Sequence, residues 1–294
     1  MFNFCRLLQG LGASSGYFLA KTIPADVYAG RQLAQLMALV GAINGIAPAS
    51  APVIGGVLAD AYGWKSIFLC LAGFAVVVIL FTLKMKESLL ASRATKGSLL
   101  KSFSGYTLLL RNRPFMIHTC LKAVGLGVLF AYISSSPFIM QTHYGLSQTQ
   151  YGIIVGVNAL FMAAGSMMSL RFRPFKKAAF IGASLASAGI VAQAIALYTV
   201  HNLWVYDAII VVILFALGMI MATSNTLAMN EGRARSGDAS AVLGISGYIV
   251  GATVSPLVGL GDILHSTALV NLALAAALMV FAFATRRLAP DLEQ

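Results

Sequence analysis

Long apolar runs separated by short polar gaps dominate the sequence. About nine of these runs approach the roughly 20 residues that a helix needs to cross the hydrocarbon core of a bilayer. Their approximate extents are 3–25, 33–59, 65–83, 115–140, 149–170, 178–199, 204–229, 239–261 and 266–285. The runs are continuously apolar rather than alternating, which favours helices over the strands of a membrane barrel. The pattern predicts an all-α membrane protein with about nine transmembrane helices.

Basic residues concentrate in every second gap. The longest gap, Lys84–Arg113, contains several Lys and Arg residues but only one acidic residue, Glu87. Because cytoplasmic loops are enriched in Lys and Arg, we expect this gap and its alternates to be cytoplasmic. The alternate gaps contain Arg31, Arg171, Arg173, Lys176, Lys177, Arg233, Arg235, Arg286 and Arg287. The opposite gaps contain only Lys65 as a basic residue, so the carboxy-terminus is predicted to be cytoplasmic.

The long basic gap divides the chain unequally, with three apolar runs before it and six after it. We therefore predict a three-span remainder of an amino-terminal half (1–83) and a basic cytoplasmic central loop (84–113). A carboxy-terminal six-helix half (114–287) and a cytoplasmic tail (288–294) follow. If the two halves are equivalent, the amino-terminal half is truncated by three helices.

Composition excludes several other classes of protein. Hydrophobic residues form 59% of the chain and charged residues 10%, whereas soluble domains carry about 25% charged residues. The net charge of +11 is spread over the gaps, and no folded nucleic-acid-binding module is recognisable. We therefore expect no nucleic-acid partner. The three cysteines and four histidines are scattered, which predicts no metal site. No phosphate-binding loop or catalytic motif is present, so neither an enzyme nor an organic cofactor is expected.

Acidic residues are predicted to lie outside the middle of the membrane. Every Asp and Glu falls in a gap, at a predicted helix end or in the tail, and Asp207 stands near the start of the seventh run. A proton-coupled pump ordinarily has an acidic side chain within the membrane. We therefore expect that coupling uses no acid from this chain.

Several polar residues do fall within the predicted spans. Arg6 and Lys122 are the cations, and for each the alternative to a functional role is snorkelling to the membrane surface. Gln141, Asn158 and Asn225 are, with Lys122, candidates for lining a cavity. Hydrogen bonding between packed helices is the alternative role for these amides.

Glycine and proline recur in two of the predicted spans. The second span contains Gly41, Gly45, Pro48, Pro52, Gly55 and Gly56, and the eighth contains Gly247, Gly251, Pro256 and Gly259. Each proline removes a backbone donor and bends its helix, and each glycine lets a second helix approach closely. The shared spacing indicates two related halves, as in transporters built from repeats, with ordinary helix packing as the alternative.

Two short runs resemble motifs of the major facilitator superfamily. Residues 6–13, RLLQGLGA, are similar to its fourth-helix motif. Residues 47–56, APASAPVIGG, are similar to its fifth-helix antiporter motif in the form of the Bcr/CflA drug-resistance branch. The segments 63–65, 111–115 and 136–138 also resemble that branch. The resemblance runs from about Arg6 to Arg287 and corresponds to helices four to twelve of a twelve-helix fold.

This resemblance implies proton-coupled efflux of drugs or other small molecules across a bacterial inner membrane by alternating access. The proton gradient would supply the energy, and the partners would be protons, a small-molecule substrate and the lipid bilayer, with the protein a monomer. The implied coupling and gating residues are Arg6, Gln9 and Gly10. Those implied for the antiporter motif are Pro48, Pro52, Gly55 and Gly56.

Two alternatives to drug efflux remain at the level of the sequence. The first is export of a metabolite such as a nucleoside, sugar or amino acid. The second is a truncated fragment that transports nothing, because an incomplete half would expose polar groups to lipid.

Overall fold

Long α-helices make up nearly all of the structure, a computed structural model that describes residues 2–28, 30–84, 104–172, 174–199 and 202–288. The helices are α1 (Phe2–Val27), α2 (Gly30–Tyr62), α3 (Lys65–Leu83), α4 (Ser104–Arg111), α5 (Arg113–Pro137), α6 (Gln148–Ser169), α7 (Phe175–Thr199), α8 (Leu203–Glu231), α9 (Ser236–Val258) and α10 (Ile263–Arg287). Within the described ranges, α3 and α5 to α10 are each long and apolar enough to cross a membrane. The predicted all-helical membrane class is therefore confirmed.

Two local features differ from the sequence prediction. Part of the predicted central loop is helical, because Ser104–Arg111 forms α4 and buries Leu109 next to Phe115. The remaining central residues up to 103, and the tail beyond Leu288, lie outside the described residues. The fourth span also extends beyond its predicted end at residue 140. It continues as a π-helix, Phe138–His143, where the amide of Tyr144 reaches back five residues to the carbonyl of Ile139.

Side chains in the polar gaps fix where several helices begin. The first amides of a helix have no partner within it, and a short polar side chain can accept their hydrogen bonds. Asn112 accepts from the amide of Phe115, and Asp262 accepts from the amide of His265. Ser147 and Gln150 form a reciprocal capping box at the start of α6.

The carboxy-terminal helices pack around α8. Leu217 and Ile220 of α8 are fully buried. Its Gly218 lies against the backbone of α6, where an added Cβ would overlap the carbonyl of Met162. Gly165 of α6 makes the reciprocal contact with the carbonyl of Phe215. Small residues thus bring the two backbones together, as is usual between membrane helices.

Helix α6 also joins the carboxy-terminal bundle to the amino-terminal helices. A Cβ added to Gly152 of α6 would overlap the carbonyl of Pro52 in α2, and one added to Gly156 would overlap the carbonyl of Ala49. From the other side, a Cβ added to Gly56 of α2 would overlap the carbonyl of Gln148 in α6. Helices α2 and α6 therefore meet backbone to backbone along three turns. By contrast, no residue of α3 is buried, so the surface of α3 is available to lipid or to other helices.

Replacing Gly152 with Ala should weaken this contact. The new methyl group would overlap the carbonyl of Pro52, and overpacking of this kind costs about 1–3 kcal/mol. We expect a lower thermal unfolding midpoint in detergent. Gly244→Ala in α9 is the matched control, because a Cβ there meets nothing within 4 Å. An equal loss of stability in both variants would contradict the proposed packing.

Candidate functional site

Polar side chains gather at one end of the bundle, which we call the outer end. It comprises the end of α2 at Asp60–Tyr62, the start of α6 at Gln148 and the start of α8 at Leu203. The basic-residue pattern predicts that this end is extracellular. Helix α2, with 33 residues, is about 50 Å long and therefore exceeds a hydrocarbon core of about 30 Å.

Asp60 bonds directly to the first turn of α6. Its Oδ2 accepts a hydrogen bond from the amide of Thr149 at 2.7 Å, and its Oδ1 accepts one from the amide of Gln148 at 3.3 Å. A carboxylate at a helix N-terminus satisfies unpaired amides and interacts favourably with the helix dipole. The Thr149 side chain, then its amide, hold the pKa of Asp60 below its ordinary value of 3.8. Asp60 therefore binds the amino-terminal helices to α6 as an anion.

A second polar group lies between α5, α6 and α8. The Nδ2 of Asn158 donates a hydrogen bond to Oδ1 of Asp207 at 2.8 Å and to the hydroxyl of Tyr132 at 3.4 Å. Asn158 is 1% exposed, and Asp207 is half-buried in the second turn of α8. Asp207 lies near a helix end, as the sequence predicts, but it is bonded to a buried amide between helices. Its neighbours along α8 are apolar, and helix packing rather than sequence spacing brings it to Asn158.

Lys122 and Asn225 form a third polar group, between α5 and α8. The Nζ of Lys122 donates to Oδ1 of Asn225 at 2.8 Å. Lys122 is half-buried and Asn225 is exposed. The structure thus joins two of the predicted cavity residues, across helices that are far apart in sequence. Gln141 does not join them, because it lies in the π-helical segment near the outer end.

The implied coupling residues lie together on α1. Arg6 donates to Oε1 of Gln9 at 2.7 Å, and its guanidinium lies 4.6 Å from the ring centre of Phe68 in α3. Arg6 and Gln9 are both exposed. An added Cβ on Gly10 would meet no atom within 4 Å among the residues that the structure describes. These contacts hold Arg6 between α1 and α3.

The residues of the implied antiporter motif lie on different faces of α2. Pro52 and Gly56 contact α6 through the backbone, whereas an added Cβ on Gly55 would meet nothing within 4 Å. Pro48 lies on α2, but its side chain is outside the described residues. The motif therefore contributes one face to the α2–α6 contact.

Apolar grooves on the outside of the bundle are separate from these polar groups. A groove of about 590 Å³ between α7 and α8 is lined by residues such as Leu185, Val205 and Val212, whose side chains are exposed. Such a lining suits lipid chains rather than a polar solute. We therefore place the candidate functional site at the polar groups between helices.

Long membrane-crossing helices, joined by close backbone contacts and carrying polar groups between them, define a multi-pass membrane protein. The model of the Major Facilitator Superfamily matches residues 1–256. The chain belongs to this family.

Relatives and solved structures agree with this assignment. The chain is 33% identical over 268 residues to the uncharacterized MFS-type transporter YdgK of Bacillus subtilis strain 168. It is 26% identical over 269 residues to the multidrug resistance protein MdtL of Escherichia coli O9:H4 strain HS. Both matches cover 87% of this chain and 65% of the relative, so the chain spans about two-thirds of the length of these proteins.

A likeness of fold extends to proteins of much lower identity. One is a bacterial homolog of the human lysosomal transporter Spinster, crystallised in an inward-facing and occupied conformation. The TM-score is 0.66 at 17% identity, and the match covers 91% of this chain and 73% of that one. The inward-facing and unoccupied form of that homolog gives a TM-score of 0.58. Both likenesses support the fold alone.

Replacing Asp60 with Asn should loosen the start of α6. We expect faster hydrogen–deuterium exchange at the amides of Gln148 and Thr149, because the neutral side chain binds the helix terminus more weakly. In the wild type, the lowered pKa keeps the stabilisation complete above pH 3.8, and it is lost as the pH falls through the lowered value. The difference between the proteins should therefore be full at neutral pH and vanish in strong acid.

Asp262→Asn is the control for this experiment. Asp262 lies at the same end but caps its own helix through the amide of His265. Exchange should increase there only at the start of α10. Unchanged exchange at the start of α6 in Asp60→Asn would contradict the role of Asp60.

Proposed function

We propose that the intact transporter exports drugs or similar small molecules from the bacterial cytoplasm in exchange for protons. It would lie in the inner membrane with a cytoplasmic carboxy-terminus, as the basic residues of the gaps predict. Transport would proceed by alternating access, in which the two sets of helices open first to one side and then to the other. The driving force would be the proton gradient.

The observation that carries this proposal is the contact between α2 and α6. The segment that resembles the antiporter motif of the Bcr/CflA branch supplies one side of it, through Ala49, Pro52 and Gly56. Gly152 and Gly156 of α6 supply the other side. Backbones packed this closely leave no room for water or ions between them. Such a seal suits an exporter, which must prevent protons from leaking between its halves.

Names of relatives give this proposal further support. MdtL is called a multidrug resistance protein and matches 87% of this chain. Its identity of 26% supports a shared mode of transport more strongly than a shared substrate. YdgK, at 33% identity, is named only as an MFS-type transporter.

Lys122 favours metabolite export as a second candidate function. Its Nζ donates a hydrogen bond to the neutral amide of Asn225. A half-buried cation beside an amide would bind the carboxylate of an amino acid through a charge-assisted hydrogen bond. Competition for transport by amino acids, but not by lipophilic cations, would favour this second function.

Efflux measurements test the leading proposal. The chain should be expressed, in the longest reading frame that the genomic DNA around Met1 encodes, in a bacterium lacking its own pumps. We expect lower susceptibility to several toxic compounds and drug uptake into inside-out vesicles that stops when the proton gradient is collapsed. The Gly152→Ala variant should leak protons. No transport from correctly inserted protein would favour the non-transporting alternative.

Replacing Arg6 with Ala should uncouple transport from protons. The variant loses the hydrogen bond to Gln9 and the contact with Phe68, and with them the charge that the family resemblance assigns to proton transfer. We expect normal amounts of protein in the membrane and loss of gradient-driven efflux. Arg6→Lys retains the positive charge and serves as the comparison. Antiport unchanged in Arg6→Ala would remove Arg6 from the mechanism.

A further inference from the structure

Asp207 lies near the outer end of the bundle, in the first turns of α8. It lies four residues after the start of α8, about 6 Å along the helix. Its carboxylate is half-buried and bonds to Asn158, which three packed helices shield almost completely. A charge held between membrane helices is costly, so such a residue is ordinarily retained for a function.

The amide of Asn158 lacks one hydrogen bond. Its Nδ2 donates to Asp207 and Tyr132, but its Oδ1 is buried and accepts no hydrogen bond from any residue that the structure describes. A buried acceptor without a partner costs about 1–3 kcal/mol. An ionised carboxylate cannot supply the missing donor, because it only accepts hydrogen bonds.

Protonation of Asp207 would remove both the cost of a charge between the helices and the cost of the unpaired acceptor of Asn158. A neutral carboxyl group has one O–H donor and one carbonyl acceptor, which complement the Oδ1 and Nδ2 of a carboxamide. The proton would come from a hydronium ion at the outer end and form an O–H bond on the carboxylate, releasing water. The charge then disappears, and the pair gains the donor that Asn158 lacks.

Tyrosines are the titratable groups that face Asp207 in the described part of the chain. Tyr132 faces it from α5, and Tyr206 precedes it on α8. Tyr144 packs against Tyr206 with ring centres 5.8 Å apart, and His143 packs against Tyr144 at 4.9 Å. Tyr151 of α6 bonds to Ser136 at 3.0 Å. Among these described residues, no Lys or Arg forms an ion pair with Asp207 that would hold it charged.

Helix α6 connects Asp207 to the contact between the two sets of helices. Asn158 on α6 bonds to Asp207, and Gly156, two residues earlier, lies against Ala49 of α2. A change in the bonding of Asn158 therefore acts on the helix that forms the seal. We infer that Asp207, paired with Asn158, binds the proton that is exchanged for substrate. This inference rests on the proposed antiport.

Infrared difference spectroscopy tests proton binding without requiring transport. The purified chain in lipid is titrated with acid, and the carbonyl stretch of neutral carboxyl groups is recorded. We expect one band that shifts on labelling of aspartate carboxyl groups with a heavy carbon isotope and is absent in Asp207→Asn. The control, Asp238→Asn, removes a carboxylate that lies 3.8 Å from Arg235 and should keep the band. Persistence of the band in Asp207→Asn would overturn the inference.

Transport by the same variants separates this inference from the proposed function. Asp207→Asn should lose gradient-driven drug uptake into inside-out vesicles but retain exchange of labelled for unlabelled drug without a gradient. Asp207→Glu, which can still bind a proton, should recover gradient-driven uptake. If Asp207→Asn retains full gradient-driven uptake, the inference fails and the proposed antiport stands. If the wild type shows the carboxyl band but no proton-driven transport, the proposed antiport fails and the proton site stands.

Discussion

The close approach of α6 to helices on two of its sides is the constraint on which the rest of the structure depends. Gly152 and Gly156 admit the backbone of α2, and Gly165 admits the backbone of α8. Apolar side chains gain little by leaving lipid for another apolar surface, so membrane helices associate through close packing and polar contacts. Without these glycines, α6 would have to move away from one partner, and the two sets of helices would lose their connection.

Polar groups between the helices follow from the same setting. In hydrocarbon, each buried donor and acceptor must find a partner within the protein. The Lys122–Asn225 and Asn158–Asp207 pairs each join helices that are distant in sequence. Each pair crosses to α8, so this helix organises the polar groups as well as the apolar core. Asp60 differs, because it is exposed and completes the first turn of α6 from another helix.

The sequence predicted the helices well because a bilayer imposes a simple rule on length and polarity. Each of the nine apolar runs corresponds to a helix within the described ranges, and Asn112, Ser147 and Asp262 mark the ends of the gaps. The change to π-helical hydrogen bonding after Pro137 was not predicted, because the pattern of apolar residues does not distinguish a π-helix from an α-helix.

The partners of the site residues were harder to predict. Asp207 stands near a helix end in the sequence, but its bond to Asn158 depends on where the packing of α6 places that amide. The resemblance named the residues of the α2 motif but not their contacts with α6. Likewise, the sequence offered Lys122 and Asn225 as separate candidates, and the antiparallel packing of α5 and α8 brings them together.

The α2–α6 contact also bears on how this sequence can vary. At Ala49, Pro52 and Gln148, the atoms that meet the glycines are main-chain carbonyl oxygens, which every amino acid possesses. The glycines themselves have no substitute, because any Cβ would overlap those oxygens. The two sides of each contact should therefore differ in how well they tolerate mutation. Many residues should be accepted where only the carbonyl oxygen makes the contact, whereas the position that faces this oxygen should accept only glycine.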